Sequence, residues 1–340
     1  MGEIGSEFYY SETKHVKANS ALCWGNCFNF VFSGRTAIET VLRNEKNVRK
    51  AMLPSYCCDS MIEPFRQAGI EVCFYPVYFD KNITFKIDIP NDVDCLLWCN
   101  YFGFKLSMPY LDEFKERGGI VIEDITHSFL SMKQFHKTSD YLVASLRKWE
   151  PVLCGGYFAV RKSIALDFEL EQPPETFLNK KMKAMKMKGQ YLSGDSDIDK
   201  STFLNAFSES NEWLAKHYSC LAIDEYSRKI LLNVDYQKQR KIRISNARIL
   251  YKGLEFNQDV SFLFPIDSMD CPLFIPVVIA PGKRNAIRKK LIDNQIYCPV
   301  HWPHPSASCQ SNLYEMELSL ICDQRYSEDD MQRIVDVLNN

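Results

Sequence analysis

Four short stretches carry side chains whose types and spacing suit chemistry. "SLRKWEPVLCGG" sets Lys148 three residues after Ser145, beside Arg147 and Trp149, with Gly155 and Gly156 seven and eight residues further on. An amine next to a tryptophan can be partly desolvated, which lowers its pKa and frees a nucleophile. The alternative is a solvated loop lysine. "VIEDITHSF" places Asp124 directly after an apolar run and His127 three residues later. Such a carboxylate can pair with a protonated ring nitrogen, or simply cap the segment that follows. "FSGRTAIETVL" puts Ser33, Gly34, Arg35 and Thr36 ahead of an amphipathic stretch, where helix N–H groups and the helix dipole favour an anion. The same Ser-Gly is equally a plain N-cap. "YCPVHWPHP" holds His301, Trp302 and His304 among prolines, an arrangement that suits a substrate lip or ordinary packing.

These residues need elements to position them. Apolar runs at 51–56, 70–77, 94–102, 119–124, 141–146 and 155–160 read as buried strands. Stretches at 34–44, 58–69 and 108–118 have helical spacing and lie between the strands. The alternation predicts βαβ units and a largely parallel sheet covered on both faces. Ligands in such sheets sit at the carboxyl ends of the strands, where Asp124, Ser145 and Lys148 fall. A polar segment, 164–200, contains "KKMKAMKMK", read as the solvated face of a helix that packs its methionines inward. The pattern predicts an α/β domain over 1–235 and a smaller α+β domain over 236–340, with strands at 272–280 and 318–322 and helices at 282–294 and 327–339.

The chain has 340 residues, a net charge of -2 and 46% apolar residues. That balance leaves no electrostatic footprint for nucleic acid or an anionic membrane surface. No apolar run approaches the roughly 20 residues of a membrane helix. Thirteen cysteines, several inside apolar runs and none with zinc-site spacing, predict reduced core thiols in a cytoplasmic protein, with no metal. A phosphate cradle, a ring-pairing aspartate and a covalently binding lysine, in that order on one parallel sheet, together describe a pyridoxal phosphate site.

On these residues the chain resembles the DegT/DnrJ/EryC1/StrS family of pyridoxal-phosphate-dependent sugar aminotransferases, which have the aspartate-aminotransferase-type fold. The likeness runs through "SGRTAI", "LPSYCCDSMIEPFRQAGIEVCFYPV", "NYFG", "VIEDITHSF", "SLRKWEPVLCGG" and "LSLICDQRYSEDDMQRIVDVL". The Gly pair after Lys148 is its most specific match. Val143 stands where the family usually has a phosphate-binding serine, so Ser145 takes that expectation. The resemblance implies fold type I with pyridoxal 5'-phosphate as cofactor, Lys148 and Asp124 as catalytic residues, and Gly34, Arg35 and Thr36 at the phosphate. It also implies His127 near the ring and Tyr56 stacked on it, Cys58 standing where a Phe is usual. Ser227 and Arg228 would replace an Asn-x-Arg segment that reaches the neighbouring subunit's phosphate. His301 and Trp302 are substrate candidates.

The expected activity is transfer of an amino group from L-glutamate to a keto group of a nucleotide-linked sugar, by a cytoplasmic homodimer. A lysine-free site would favour the dehydratase relatives, so Lys148 argues for transamination. The alternatives are another pyridoxal phosphate reaction, a non-sugar ketone substrate, or a non-catalytic binding or regulatory protein on the same fold.

Overall fold

The computed structural model describes residues 2–10, 28–109, 111–131, 136–161, 168–195, 197–306 and 310–340. Its centre is a seven-stranded sheet in the order Phe28–Val31, Gly156–Val160, Tyr141–Ser145, Ile120–Asp124, Cys95–Cys99, Lys50–Pro54, Glu71–Tyr75. Only Gly156–Val160 runs against its neighbours; the other six strands share one direction. The Cys95–Cys99 strand reads CLLWC and is buried at all five positions. That is how a central parallel strand covered on both faces should read. Each such Leu side chain contributes about 1.5–3 kcal/mol by leaving water.

The Phe28–Val31 strand lies outside the six runs named from the sequence. It is short and pairs antiparallel with Gly156–Val160, more than a hundred residues away. The 108–118 stretch forms only the short helix Asp112–Glu116, whereas Gly34–Asn44 is helical over the whole expected span.

Helices Glu175–Leu192 and Lys200–Lys216 pack along each other. The inward face of the first departs from expectation. Lys181, Ala184, Met185 and Lys188 are buried, Met182 and Met187 are half-buried, and Lys180, Lys183 and Lys186 face out.

The helix Tyr236–Gly253 leads into a three-stranded antiparallel sheet of Val260–Phe262, Ile275–Ile279 and Glu317–Leu320. Helices Arg284–Asp293 and Glu328–Asn339 pack there, the second closed at its start by a Ser327/Asp330 capping box. The chain's beginning crosses to this region: Ile4–Gly5 pairs with Ile296–Tyr297. One apolar cluster runs continuously from the large sheet to Ile334 and Val335. Among the described residues no helix is long and apolar enough to cross a membrane. The ten described cysteines form no disulfide with one another, and seven of them are buried; Cys23, Cys27 and Cys309 lie outside the described residues.

Candidate active site

A cleft opens at the carboxyl ends of the parallel strands, and Gly34, Arg35, Asp124, His127, Ser145, Arg147, Lys148 and Trp302 line it. Ser33 begins the helix Gly34–Asn44: its hydroxyl accepts from the Thr36 amide at 3.2 Å and its carbonyl from the Ala37 amide at 2.9 Å. The capping and anion-binding readings of this motif therefore coexist, because a cap leaves the first two N–H groups, those of Gly34 and Arg35, without helical acceptors.

Glycine is needed here for close approach. A Cβ on Gly34 would stand 3.1 Å from the Ser145 Cβ, and one on Gly156 would fall 2.1 Å from the Ser33 carbonyl oxygen. Gly156 thus lets the antiparallel strand pass against the start of the helix.

Asp124 ends its strand, and alternation along the strand sends Glu123 to the other side, toward Ser139 and Asn100. Asp124 Oδ1 accepts from the Thr126 amide at 2.7 Å. Burial pushes its carboxyl up, against the Thr126 hydrogen bonds and the charge of Lys148. Lys148 sits on the turn Leu146–Lys148 just past the next strand. Its Nζ is 3.2 Å from His127 Nε2 and 5.8 Å from the centre of the Trp302 ring. Burial lowers its pKa, with Cys58, Asp124 and Cys99 opposing. Burial, then Lys148 and His301, hold His127 well below the ordinary histidine range, so it is neutral.

The C-terminal part supplies Trp302, stacked on His127 at 5.3 Å and 23°, and His301, edge-on to His127 at 5.0 Å. His301 is itself fixed by Glu317, which accepts from its amide at 2.6 Å, and by Ser319 at its Nδ1.

Four expected ligands stand elsewhere. The Thr36 hydroxyl donates to the Tyr218 carbonyl at 2.8 Å and its amide is taken by Ser33, so Thr36 holds the helix rather than the cleft. Tyr56 is fully buried, its hydroxyl donates to the His301 carbonyl, and its ring packs behind Trp302 at 5.0 Å. Ser227 is also fully buried, and its oxygen accepts from the Leu153 and Cys154 amides at 2.9 and 3.4 Å. That braces the turn after Lys148. Arg228 is exposed and does not line the cleft.

Other cleft residues went unmarked in the sequence. Ser60 and Cys99 line it beside Cys58, as does Thr126, whose hydroxyl accepts from the Ser145 amide at 3.0 Å. Thr126 and Cys99 follow or end strands, so the strand-end rule could have found both.

The donor set fits a phosphorylated pyridine. Arg147 Nε is buried without a hydrogen-bond partner, and so is His127 Nδ1. Burial lowers the Arg147 pKa, and the like charge of Arg35 adds to that while Glu7 opposes it. The Arg147 guanidinium and two free helix N–H groups at one end want an anion, while the Arg35 guanidinium already faces Glu63 at 3.4 Å. At the other end, the buried Asp124 carboxylate wants a cation.

No family model matches the chain, and no curated protein matches it. Solved structures do. The chain is similar to DesI, crystallised in the presence of its TDP-sugar product, over 94% of this chain and 81% of that one, at 14% identity and a TM-score of 0.65. It has the fold of the pyridoxal-phosphate-dependent aminotransferases, fold type I. The sugar aminotransferase CalS13 from Micromonospora echinospora matches over 92% of this chain and 86% of its own, at 13% identity and a TM-score of 0.63. A DegT DnrJ EryC1 StrS aminotransferase from Brucella abortus matches over 92% and 84%, at 14% identity and a TM-score of 0.61.

Proposed function

We propose that the protein is a pyridoxal-phosphate-dependent sugar aminotransferase of the DegT/DnrJ/EryC1/StrS kind. It would move an amino group from L-glutamate to a keto group of a nucleotide-linked sugar. The observation that carries this reading is the joining of Lys148, Asp124 and the helix start at Gly34 in one cleft on this fold. Pyridoxal phosphate supplies an aldehyde for the amine and a ring that takes up electrons from the substrate carbon.

The chain's own residues do the rest. The N–H groups of Gly34 and Arg35, with the Arg147 guanidinium and the Ser145 hydroxyl, hold the phosphate. The Asp124 carboxylate keeps a proton on the ring nitrogen, and that positive charge in turn keeps Asp124 ionised against its burial. His127, neutral and stacked on Trp302 in the cleft wall, would offer the ring an apolar surface and help to shut out water. Lys148 has a lowered pKa and so can be present as the free amine. Its Nζ binds the cofactor at rest and carries a proton to and from the substrate carbon during transfer, a role worth about 10²–10⁴ in rate.

A homodimer would complete the site, with the exposed Arg228 as the residue offered across the interface. Buried thiols such as Cys95, Cys99 and Cys322 suit a reducing compartment such as the cytoplasm.

The test is the visible absorption of the protein mixed with pyridoxal phosphate, followed by L-glutamate and then a nucleotide-linked keto-sugar. A band that bleaches with glutamate and returns with the sugar is expected. A band that no amino acid changes would end the aminotransferase reading.

A further inference from the structure

A second cavity of about 420 Å3 adjoins the cleft and shares Arg147 and Lys148 with it. Its size is within the roughly 300–1,000 Å3 usual for small-molecule sites. If the first cleft takes the cofactor, this cavity lies where a substrate must meet Lys148.

Its charge is one-sided. Arg147, Lys148, Arg243, Arg288 and Arg325 line it, against two carboxylates, Glu7 and Asp323. Neither carboxylate is at liberty. Asp323 takes a two-pronged bond from Arg325, at 2.9 and 2.7 Å. Glu7 accepts from Asn211 at 2.9 Å and faces Lys181 at 3.8 Å.

Arg243 is the unusual member. It sits on the helix Tyr236–Gly253 and is 0% exposed. Its Nη1 donates to the carbonyls of Pro272 and Leu273 at 3.2 and 3.0 Å, and its face lies 4.4 Å over the Trp149 ring. Nε and Nη2 have no hydrogen-bond partner. Glu150 is the other acid near it, but it accepts from Gln239 and burial pushes its carboxyl up to about 8, so it is mostly uncharged at neutral pH. A buried guanidinium with two idle N–H groups is costly unless an anion meets it. Asp323 lies within reach of the Arg243 charge, but its oxygens are held by Arg325. Nε and Nη2 therefore still lack an acceptor, and a carboxylate can engage a guanidinium through paired bonds where a single neutral hydroxyl cannot.

We infer that this second cavity binds a substrate carboxylate and that Arg243 is the residue that reads it, so the amino donor enters as an amino acid anion from the Arg243 side of Lys148. The inference rests on the aminotransferase reading for its place in the reaction, but the binding claim is separate.

The test uses calorimetric binding of 2-oxoglutarate, the keto acid counterpart of glutamate, and of its neutral dimethyl ester. Both are titrated into the protein with and without pyridoxal phosphate. The wild type should bind the diacid and discriminate against the ester by about tenfold or more. Arg243→Met should lose that discrimination by weakening the diacid alone, and Arg243→Lys should keep part of it. Melting curves check that each variant is folded, and Arg243→Lys carries the comparison if the Met variant is not. Equal affinity for diacid and ester in the wild type, no binding of the diacid, or an unaltered diacid affinity in both variants overturns the inference. Failure of the lysine-bound absorption band, with diacid binding intact, would instead count against the aminotransferase reading.

Discussion

Among the described residues two places lower the pKa of lysines by burial, and they do different things with them. Lys148 is half-buried at a strand end, its amine opposite His127 and Asp124 in an open cleft. Lys181 and Lys188 are buried on the inward face of the helix Glu175–Leu192, with pKa values brought down to about 8. Burial is the leading cause at all three. What separates them is what lies in front of the nitrogen. Lys181 donates to Asn211 at 3.1 Å and lies over the Phe207 ring, and Lys188 donates to the Glu7 carbonyl. Their amines are used in fastening the chain's first residues to the helix pair. Lys148 has space before it, and groups on either side suited to a phosphate and a ring nitrogen. A lowered pKa alone does not make a nucleophile; an approach path does.

Substitutions can break this contrast. Lys148→Ala should abolish the absorption band of lysine-bound pyridoxal phosphate and all transamination, while Lys181→Ala keeps the band. Asp124→Asn should hold the cofactor yet lose about a hundredfold or more in the glutamate half-reaction, measured by stopped-flow bleaching, because the ring nitrogen loses its charge partner. Gly156→Ala should cost about 1–3 kcal/mol of stability in denaturant titration, since its Cβ meets the Ser33 carbonyl with no room to move.

The smallest effect is in pH dependence. The unfolded chain holds protons on Lys181 and Lys188 up to about 10.5, the folded chain only up to about 8. Unfolding therefore takes up protons between those values, and stability should rise with pH across that window and be flat with respect to these groups below it. Lys181→Met should remove part of the rise in melting temperature between pH 8 and 10. Lys148→Ala should leave the contribution of Lys181 and Lys188 in place.

The contrast also marks what a sequence can disclose. The helix Gly34–Asn44 was legible because its start signal and apolar face are local, and so was Asp124, because a carboxylate after four apolar residues marks a strand end. Lys148 needed its spacing to Gly155 and Gly156. The buried lysines were not legible. In "KKMKAMKMK" lysine and methionine share the helical spacing, so either could face inward. What draws Lys181 and Lys188 in is Glu7 and the backbone beside it, more than 170 residues upstream. Arg243, in "QKQRKIRISNARI", reads as one more solvated cation for the same reason. Tyr56 and Ser227 have the right types at the right places in the chain. Their hydroxyls are nonetheless taken by the backbone of His301 and of Leu153 and Cys154. Contacts across such separations leave no local trace.

The most direct measurement is to reduce the pyridoxal-phosphate-treated protein with borohydride and locate the fixed cofactor by peptide mass mapping. A single modified residue, Lys148, is expected, with protection of that residue by prior conversion with glutamate. A label on Lys181 or Lys188, or none on Lys148, would contradict that expectation.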